Sequence, residues 1–259
     1  MQRFYISLLL TVILLGCSWA AADVLVIVTY NIHHGEGMDG KVDIDRIVNV
    51  IQPLNPHIVC LQEVDRNLPR TMHRDMPALF AKKLEMDVVF EPNFQFDGGE
   101  YGNATLTNLP ILKHRNIALP NPISTEPRGC LVVTVKWQSK QIDIMNTHLG
   151  LNGQERLAQA EAIAKEIEER PVILAGDMNE HHTAPGMKVI LKELNDTYIK
   201  SSDSIRGTIP VDKPVRRIDY ILMSNAFQVV DSCIIHDDLT RLASDHLPYI
   251  VTMKMDTVE

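Results

Sequence analysis

Residues 154–180, QERLAQAEAIAKEIEERPVILAGDMNE, decide the architecture. Leu157, Ala160, Ile163, Ala164 and Ile167 recur at helical spacing, which predicts an amphipathic helix over 154–170 that Pro171 stops. The next residues, 171–175, are apolar without alternation, as a strand covered on both faces reads. Then the apolar run ends abruptly and Asp177 and Asn179 follow. A helix, a buried strand and a polar strand tip make one α/β unit, and the rest of the chain repeats its parts.

Short Val- and Ile-rich runs predict further strands at 24–31, 57–64, 103–108, 130–137, 141–148, 217–224, 228–236 and 248–255. Helical periodicity recurs at 43–51, where Ile44, Ile47, Val48 and Ile51 share a face behind Asp43 as N-cap, and at 75–84. Strands alternating with helices, together with adjacent strands such as 130–137 and 141–148, indicate a mixed α/β sandwich. No Ser-, Gly- or Pro-rich linker divides the chain, so residues 23–259 read as one domain.

Residues 1–22 stand apart. One cation, Arg3, precedes an apolar run from Tyr5 to Leu15 that is too short for a bilayer, and the segment reads as a signal peptide. Two exits are open: cleavage after the small residues of SWAAA, before Asp23, or a lipoprotein signal ending before a lipidated Cys17 in LLGC. Either exit places the protein in the cell envelope or outside the cell. The formal net charge is −8, and −9 once Arg3 is removed. Such a chain has no general basic field for nucleic acid, so handling phosphate requires cations from elsewhere, and metal ions are the usual source. Cys60, Cys130 and Cys233 are dispersed in apolar runs and read as buried free thiols.

The apolar strands end in a recurrent chemistry. The first stops at Asn31 before His33 and His34, the second at Glu63, the fifth at Asn146 and His148, and the sixth at Asp177 and Asn179. Asp219 opens the RIDYILMS run, and Asp245 and His246 precede the last strand. Each residue alone reads as a turn or a solvated side chain. Together they bring carboxylates, amides and imidazoles to the strand ends, where ligands gather in α/β sheets. Oxygen ligands of this kind suit Mg²⁺, Mn²⁺ or Ca²⁺ rather than zinc. No phosphate-binding P-loop, serine elbow or HExxH motif is present.

In order, TYNIHHG, LQEVD, YGNATLTNLPI, EPRG, NTHLG, GDMNE, RIDYIL and SDHLPY resemble the endonuclease/exonuclease/phosphatase superfamily, the DNase I-like enzymes, from about Val24 to Met255. The resemblance implies a four-layer α/β sandwich of two packed mixed β-sheets flanked by helices. It implies a Mg²⁺-dependent phosphoric ester hydrolase, with Mn²⁺ or Ca²⁺ as other ions. By the same resemblance, Glu63, Asn31 and Asp245 surround the metal, and Asp177 and Asn179 position the attacking water. His148 stabilises phosphoryl oxygens, and His246 meets the reacting phosphate with Asp219 orienting its ring. Asn103 and Arg128 are expected to touch substrate. Whether Asp177 or His246 takes the water's proton is left open.

The pattern departs from the DNase I branch at Leu109, where that branch has a glutamate paired with the histidine of NTH. It departs from the AP endonuclease branch at His148, where that branch has a tyrosine. The expected reaction is hydrolysis of a phosphodiester or a phosphomonoester, the substrate being a nucleic acid, a phospholipid headgroup or a small phosphodiester, and the expected state is a monomer. The competing readings are an extracellular nuclease, a sphingomyelinase- or phosphoinositide-type hydrolase, and a non-catalytic binding protein on the same fold. His33 and His34 are expected to face substrate or support the fold rather than bind zinc. Arg70 is a further candidate for phosphate, while His181 and His182 belong to a loop or helix start.

Overall fold

The computed structural model describes residues 24–198 and 206–256. The expected signal peptide, with Cys17, lies outside the described residues. Among the described residues no helix is long and apolar enough to cross a membrane.

Two six-stranded mixed sheets form the molecule. The first runs, in spatial order, β11 (Phe227–Ile234), β12 (Tyr249–Met255), β1 (Leu25–Asn31), β2 (Ile58–Arg66), β4 (Gly99–Thr107) and β3 (Asp87–Phe96). The second runs β5 (Ile111–Ala118), β6 (Gly129–Trp137), β7 (Lys140–His148), β8 (Val172–Asp177), β10 (Asp219–Met223) and β9 (Asn195–Asp196). The β1–β2 and β7–β8 pairs are parallel and the others antiparallel. Helices α1 (Ile44–Ile51) and α2 (Met76–Leu84) cover the first sheet, and α3 (Gly153–Ala164) and α4 (Pro185–Ile190) the second. A fifth helix, α5 (Asp238–Ala243), leads into β12. The four-layer sandwich expected from the sequence is the observed fold.

The alternation of side chains builds these layers. Leu25 and Ile27 of β1 face the second sheet and pack with Ile142 and Ile144 of β7 and Ile173 and Ala175 of β8. Val28 and Tyr30 of the same strand face outward against Ile44, Ile47 and Ile51 of α1 and Phe80 of α2. On the other side, Met145 and Leu174 meet Ala160 and Ile163 of α3. Asp43 caps α1 as expected, its carboxylate accepting from Arg46 N at 3.1 Å.

All nine predicted strands are present, and three more appear among the described residues. Strands β3 and β5 lie at sheet edges, half-exposed and polar, and β9 has two residues. Strand β2 does not stop at Glu63 but continues to Arg66 through a bulge. Helix α3 ends at Ala164, six residues short of the expected end, because the chain turns over 165–170 to enter β8. Its deepest face includes Glu155 and Gln159 beside Ala160 and Ile163. Those polar side chains tie down the neighbouring loop: Glu155 Oε1 accepts from Ile123 N and Ser124 N at 2.7 Å each, and Gln159 Nε2 donates to Pro120 O at 3.0 Å. Cys60 and Cys130 are buried, but Cys233 is exposed, because β11 is an edge strand and presents one side to solvent.

Candidate active site

The inner-facing alternation carries polar side chains once the strands reach one end of the sandwich. Following Ile27 on β1 come Thr29 and Asn31, and following Ile144 on β7 come Asn146 and His148. Following Ala175 on β8 comes Asp177, and Asp219 of β10 lies on the inner face with Ile221. Register then sets them side by side: His148 and Asp219 are both opposite Asp177, on its two neighbouring strands. Gly176 permits this approach, since a Cβ there would lie 1.9 Å from Thr147 O.

Beneath the site is a layer of amides that joins the sheets. Gln62 Nε2 of the first sheet donates to Asn146 Oδ1 of the second at 2.8 Å. Asn146 Nδ2 in turn donates to Leu61 O at 3.1 Å and Ala104 O at 2.9 Å. Those two residues are the last paired before the β2–β4 ladder shifts register. The bulge gives Glu63 a left-handed φ of 58°, a conformation that costs about 1–3 kcal/mol and is held only when its surroundings determine it. Asn103 belongs to this lower layer. Its Nδ2 donates to Gly129 O at 3.1 Å and Asn146 O at 3.3 Å, and the residue does not line the cavity where substrate was expected to meet it.

Above the amides, Asn31 Nδ2 donates to Glu63 Oε1 at 3.0 Å and to Asp177 Oδ2 at 3.1 Å, linking carboxylates of opposite sheets. His246 Nδ1 is 2.8 Å from Asp219 Oδ2, and its Nε2 is 3.7 Å from Asp177 Oδ2. His148 Nε2 lies 3.5 Å from the same Asp177 oxygen, and its Nδ1 is 2.9 Å from Arg128 Nη1. Asn179, also left-handed with φ 51°, donates its backbone N–H to Asp177 Oδ1 at 2.8 Å and its amide to Leu149 O at 2.9 Å. Asp245, Glu63, His33 and His34 face the same cavity of about 560 Å³. His181 and His182 meet elsewhere with their rings tilted by 50° and their centroids 4.0 Å apart, and do not line it.

The electrostatics divide the site's acids and rings. Burial raises the Asp177 carboxyl to about 7, with Asp219 adding to the effect. Burial also raises Glu63, and Asp245 pushes in the same direction against the Asn31 hydrogen bond. For His246 burial favours the neutral ring, but Asp219 and Asp177 outweigh it and raise the ring to about 10. His148 goes the other way: burial, Arg128 and His246 push it well below the usual histidine value.

The donor set fits a divalent cation. Glu63 and Asp245 repel each other across the cavity, Asp177 stands close by on Asn31, and Asp219 Oδ1 is buried without a hydrogen-bond partner. A hard cation with oxygen ligands relieves such a cluster. In each of two triads, His33–His34–Glu63 and Asp177–Asp219–His246, the ligand atoms lie within 4.8 Å of one another.

One wall of the cavity was not legible beforehand. Phe94 and Phe96 of β3 stack with centroids 4.9 Å apart, and Tyr101 of β4 meets Phe96 edge-on at 6.5 Å. The Arg70 guanidinium lies 5.4 Å from both the Phe96 and Tyr101 rings. It is pinned by Asp65 in a paired bond of 2.7 and 2.8 Å. Its charge is therefore already matched.

Comparisons with known proteins agree with this fold. The family described as Endonuclease/Exonuclease/phosphatase matches residues 28–246. The Escherichia coli K12 protein YbhP is 27% identical over 220 residues, which is 77% of this chain and 85% of that protein. The crystal structure of an endonuclease/exonuclease/phosphatase from Beutenbergia cavernae is 26% identical, covers 90% of this chain and 72% of its own, and superposes with a TM-score of 0.79. A mannosyl-6-phosphatase of Bacteroides thetaiotaomicron, 19% identical over 88% of this chain and 99% of its own, shares the fold with a TM-score of 0.72.

Proposed function

The chain belongs to the Endonuclease/Exonuclease/phosphatase family, whose members hydrolyse phosphoesters, and on that premise we propose that it is a divalent-metal-dependent phosphodiesterase acting outside the cytoplasm. The observation that carries this reading is the convergence on Asp177: Asn31 ties it to Glu63, and His246, held by Asp219, faces its Oδ2 at 3.7 Å. Location rests on the apolar leader of residues 1–22.

A Mg²⁺, Mn²⁺ or Ca²⁺ held by Glu63, Asn31 and Asp245 would supply Lewis-acid charge beside the scissile phosphate. The chain's own residues do the rest. His246, raised to about 10, stays protonated at neutral pH and presents a fixed positive charge through Nε2. A ring already protonated cannot accept the water's proton. That role falls to Asp177, whose pKa of about 7 suits a general base near neutrality. Asn179 fixes Asp177 Oδ1 through its backbone N–H, which leaves Oδ2 toward the cavity. His148 and Asn179 offer N–H groups to phosphoryl oxygens.

The aromatic wall favours one substrate class. Phe94, Phe96, Tyr101 and a charge-matched Arg70 form a surface for a flat ring, and stacking on such surfaces is worth about 1–3 kcal/mol per base. A nucleoside phosphodiester therefore fits the cavity better than an aliphatic headgroup.

A substrate panel after metal stripping and re-addition tests the reading: bis-p-nitrophenyl phosphate, p-nitrophenyl phosphate, plasmid DNA, RNA, sphingomyelin and phosphoinositides with Mg²⁺, Mn²⁺ or Ca²⁺. Turnover of diesters that stops with EDTA is expected. Activity that survives EDTA would overturn the metal dependence, and preference for sphingomyelin would overturn the nucleoside assignment. Mass spectrometry of the native protein should show a chain starting at Cys17 or Asp23, and an intact Met1 in the cytoplasmic fraction would overturn the location.

A further inference from the structure

The His148 ring is partnered by a cation rather than by a carboxylate. Arg128 Nη1 approaches His148 Nδ1 at 2.9 Å, and Glu126 Oε1 lies 2.8 Å from the same Nη1. Arg128 and His148 are both more than nine-tenths buried. A guanidinium has donors and no acceptor, so this contact requires a lone pair on Nδ1. A neutral imidazole has one lone pair and one N–H, and its proton must then sit on Nε2. That nitrogen is the one nearer the reacting centre, 3.5 Å from Asp177 Oδ2 and 3.1 Å from Asn179 Nδ2. Asn179 Nδ2 is also a donor. Two N–H groups so close do not satisfy each other, but they suit a shared anionic oxygen.

We propose that Arg128 locks His148 as the neutral Nε2–H tautomer, so that His148 and Asn179 together form a donor notch for a nonbridging phosphoryl oxygen. Arg128 also lines the cavity, and its part here is that of a positioning residue that acts through the ring. A histidine that protonates a leaving group needs hydrogens on both nitrogens, and Arg128 occupies the side where the second one would go. The loop around Arg128 is built to keep it there. The fully buried Glu155 holds Ile123 N and Ser124 N, and the chain then delivers Glu126 to the guanidinium. Leu109, where the DNase I branch was expected to place a glutamate against this ring, instead follows the Thr107–Ile58 end of the sheets and packs against the core there, at the end of the sandwich opposite His148, so position 109 has no part in setting the ring.

The rate consequences rest on the phosphodiesterase reading, whereas the tautomer can be measured without turnover. Histidine-labelled ¹⁵N NMR of the full chain at neutral pH, with His148 assigned from His148→Gln, should show a pyridine-type Nδ1 and a pyrrole-type Nε2. A proton on Nδ1, alone or with one on Nε2, overturns the proposal. Arg128→Lys, which keeps a donor, should preserve the tautomer and most of the rate. Kinetics on bis-p-nitrophenyl phosphate give the second arm. His148→Ala should lower kcat about 10²–10³-fold, the typical loss for one oxyanion donor. Arg128→Gln should lower kcat less than that with KM nearly unchanged. In the His148→Ala background it should add almost nothing, since residues acting as a unit are non-additive. Losses that multiply, or a large rise in KM, would mean that Arg128 meets substrate directly. If the wild type turns over none of the diesters, the phosphodiesterase reading falls while the NMR result still decides the tautomer.

Discussion

Along the inner face of β7 the side chains read Ile142, Ile144, Asn146 and His148, all buried and all pointing at the opposite sheet. The first two pack among Leu25, Ile27 and Ile58 and need only volume and apolarity from their neighbours. The last two need particular atoms: Asn146 takes two carbonyls and an amide of the first sheet, and His148 takes Arg128. The backbone is the same through both halves. What changes along it is the tolerance of each position for substitution. Substitutions at the two ends of this face should therefore separate stability from catalysis.

The largest separation is expected at Glu63. Glu63→Gln should lower diester turnover by at least about 10³-fold, as loss of a principal electrostatic element does. Metal-free stability should move the other way. Burial and Asp245 raise the folded-state pKa of Glu63 above its ordinary value of 4.5, so ionisation of Glu63 weakens the fold as pH rises through that window. Calorimetry of metal-free protein should find Glu63→Gln equal to wild type at about pH 4 and more stable at about pH 8. A less stable variant at the higher pH would mean that the carboxylate is a structural partner, and the comparison between the two ends of the sandwich would lose its sharpest case.

Next comes the His246–Asp219 pair. His246→Ala should lower kcat about 10²–10⁴-fold, the range for an oriented acid or charge stabiliser. Asp219→Asn should cost less, because the ring stays, and the double variant should be little worse than His246→Ala alone. Steady-state kcat for the three variants at saturating Mg²⁺ checks this. If the two losses multiply, the 2.8 Å contact between Asp219 and His246 is not what makes either residue matter.

How much of this was legible in the sequence follows the same divide. The central strands are apolar on both faces because sheets and helices cover them, and such runs announce themselves. Strand β3 contains Pro92 and buries little beyond Val89, and β5 is an edge strand reading ILKHRNIA, so neither alternates cleanly. The six-residue helices α4 and α5 are too short for periodicity to show. At the site, the strand-end acids and imidazoles stood out against apolar neighbours. Gln62 did not, because one amide before Glu63 looks like any polar strand residue. Its bond to Asn146, 84 residues away, exists only once the sheets face each other. Arg128 was visible, but its partner was not, since nothing local says that a guanidinium will meet His148 Nδ1. Phe94, Phe96 and Tyr101 likewise become a wall only when β3 and β4 pair.

The smallest and most discriminating contrast lies within β7 itself, two residues apart. Asn146→Ala removes the donor for Leu61 O and Ala104 O and the acceptor for Gln62 Nε2. Leaving buried polar groups unpaired costs about 1–3 kcal/mol each, partly offset where Gln62 still reaches Thr29 Oγ1 and Cys60 O, so a net loss of about 2–4 kcal/mol is expected. The same carbonyls flank the bulge that sets the left-handed Glu63, so kcat should also fall in the molecules that remain folded. Ile144→Val, one inward position away, deletes a methylene from a packed core and should cost about 0.5–1.5 kcal/mol. The Ile144 side chain gives the amide layer no hydrogen bond, so kcat per folded molecule should equal that of wild type. Denaturant unfolding and active-site-normalised kinetics on both variants measure the two quantities separately. If Asn146→Ala lost stability but kept full kcat, the amide layer would be a cross-link between the sheets and no more, and Glu63 would hold its strained conformation without it.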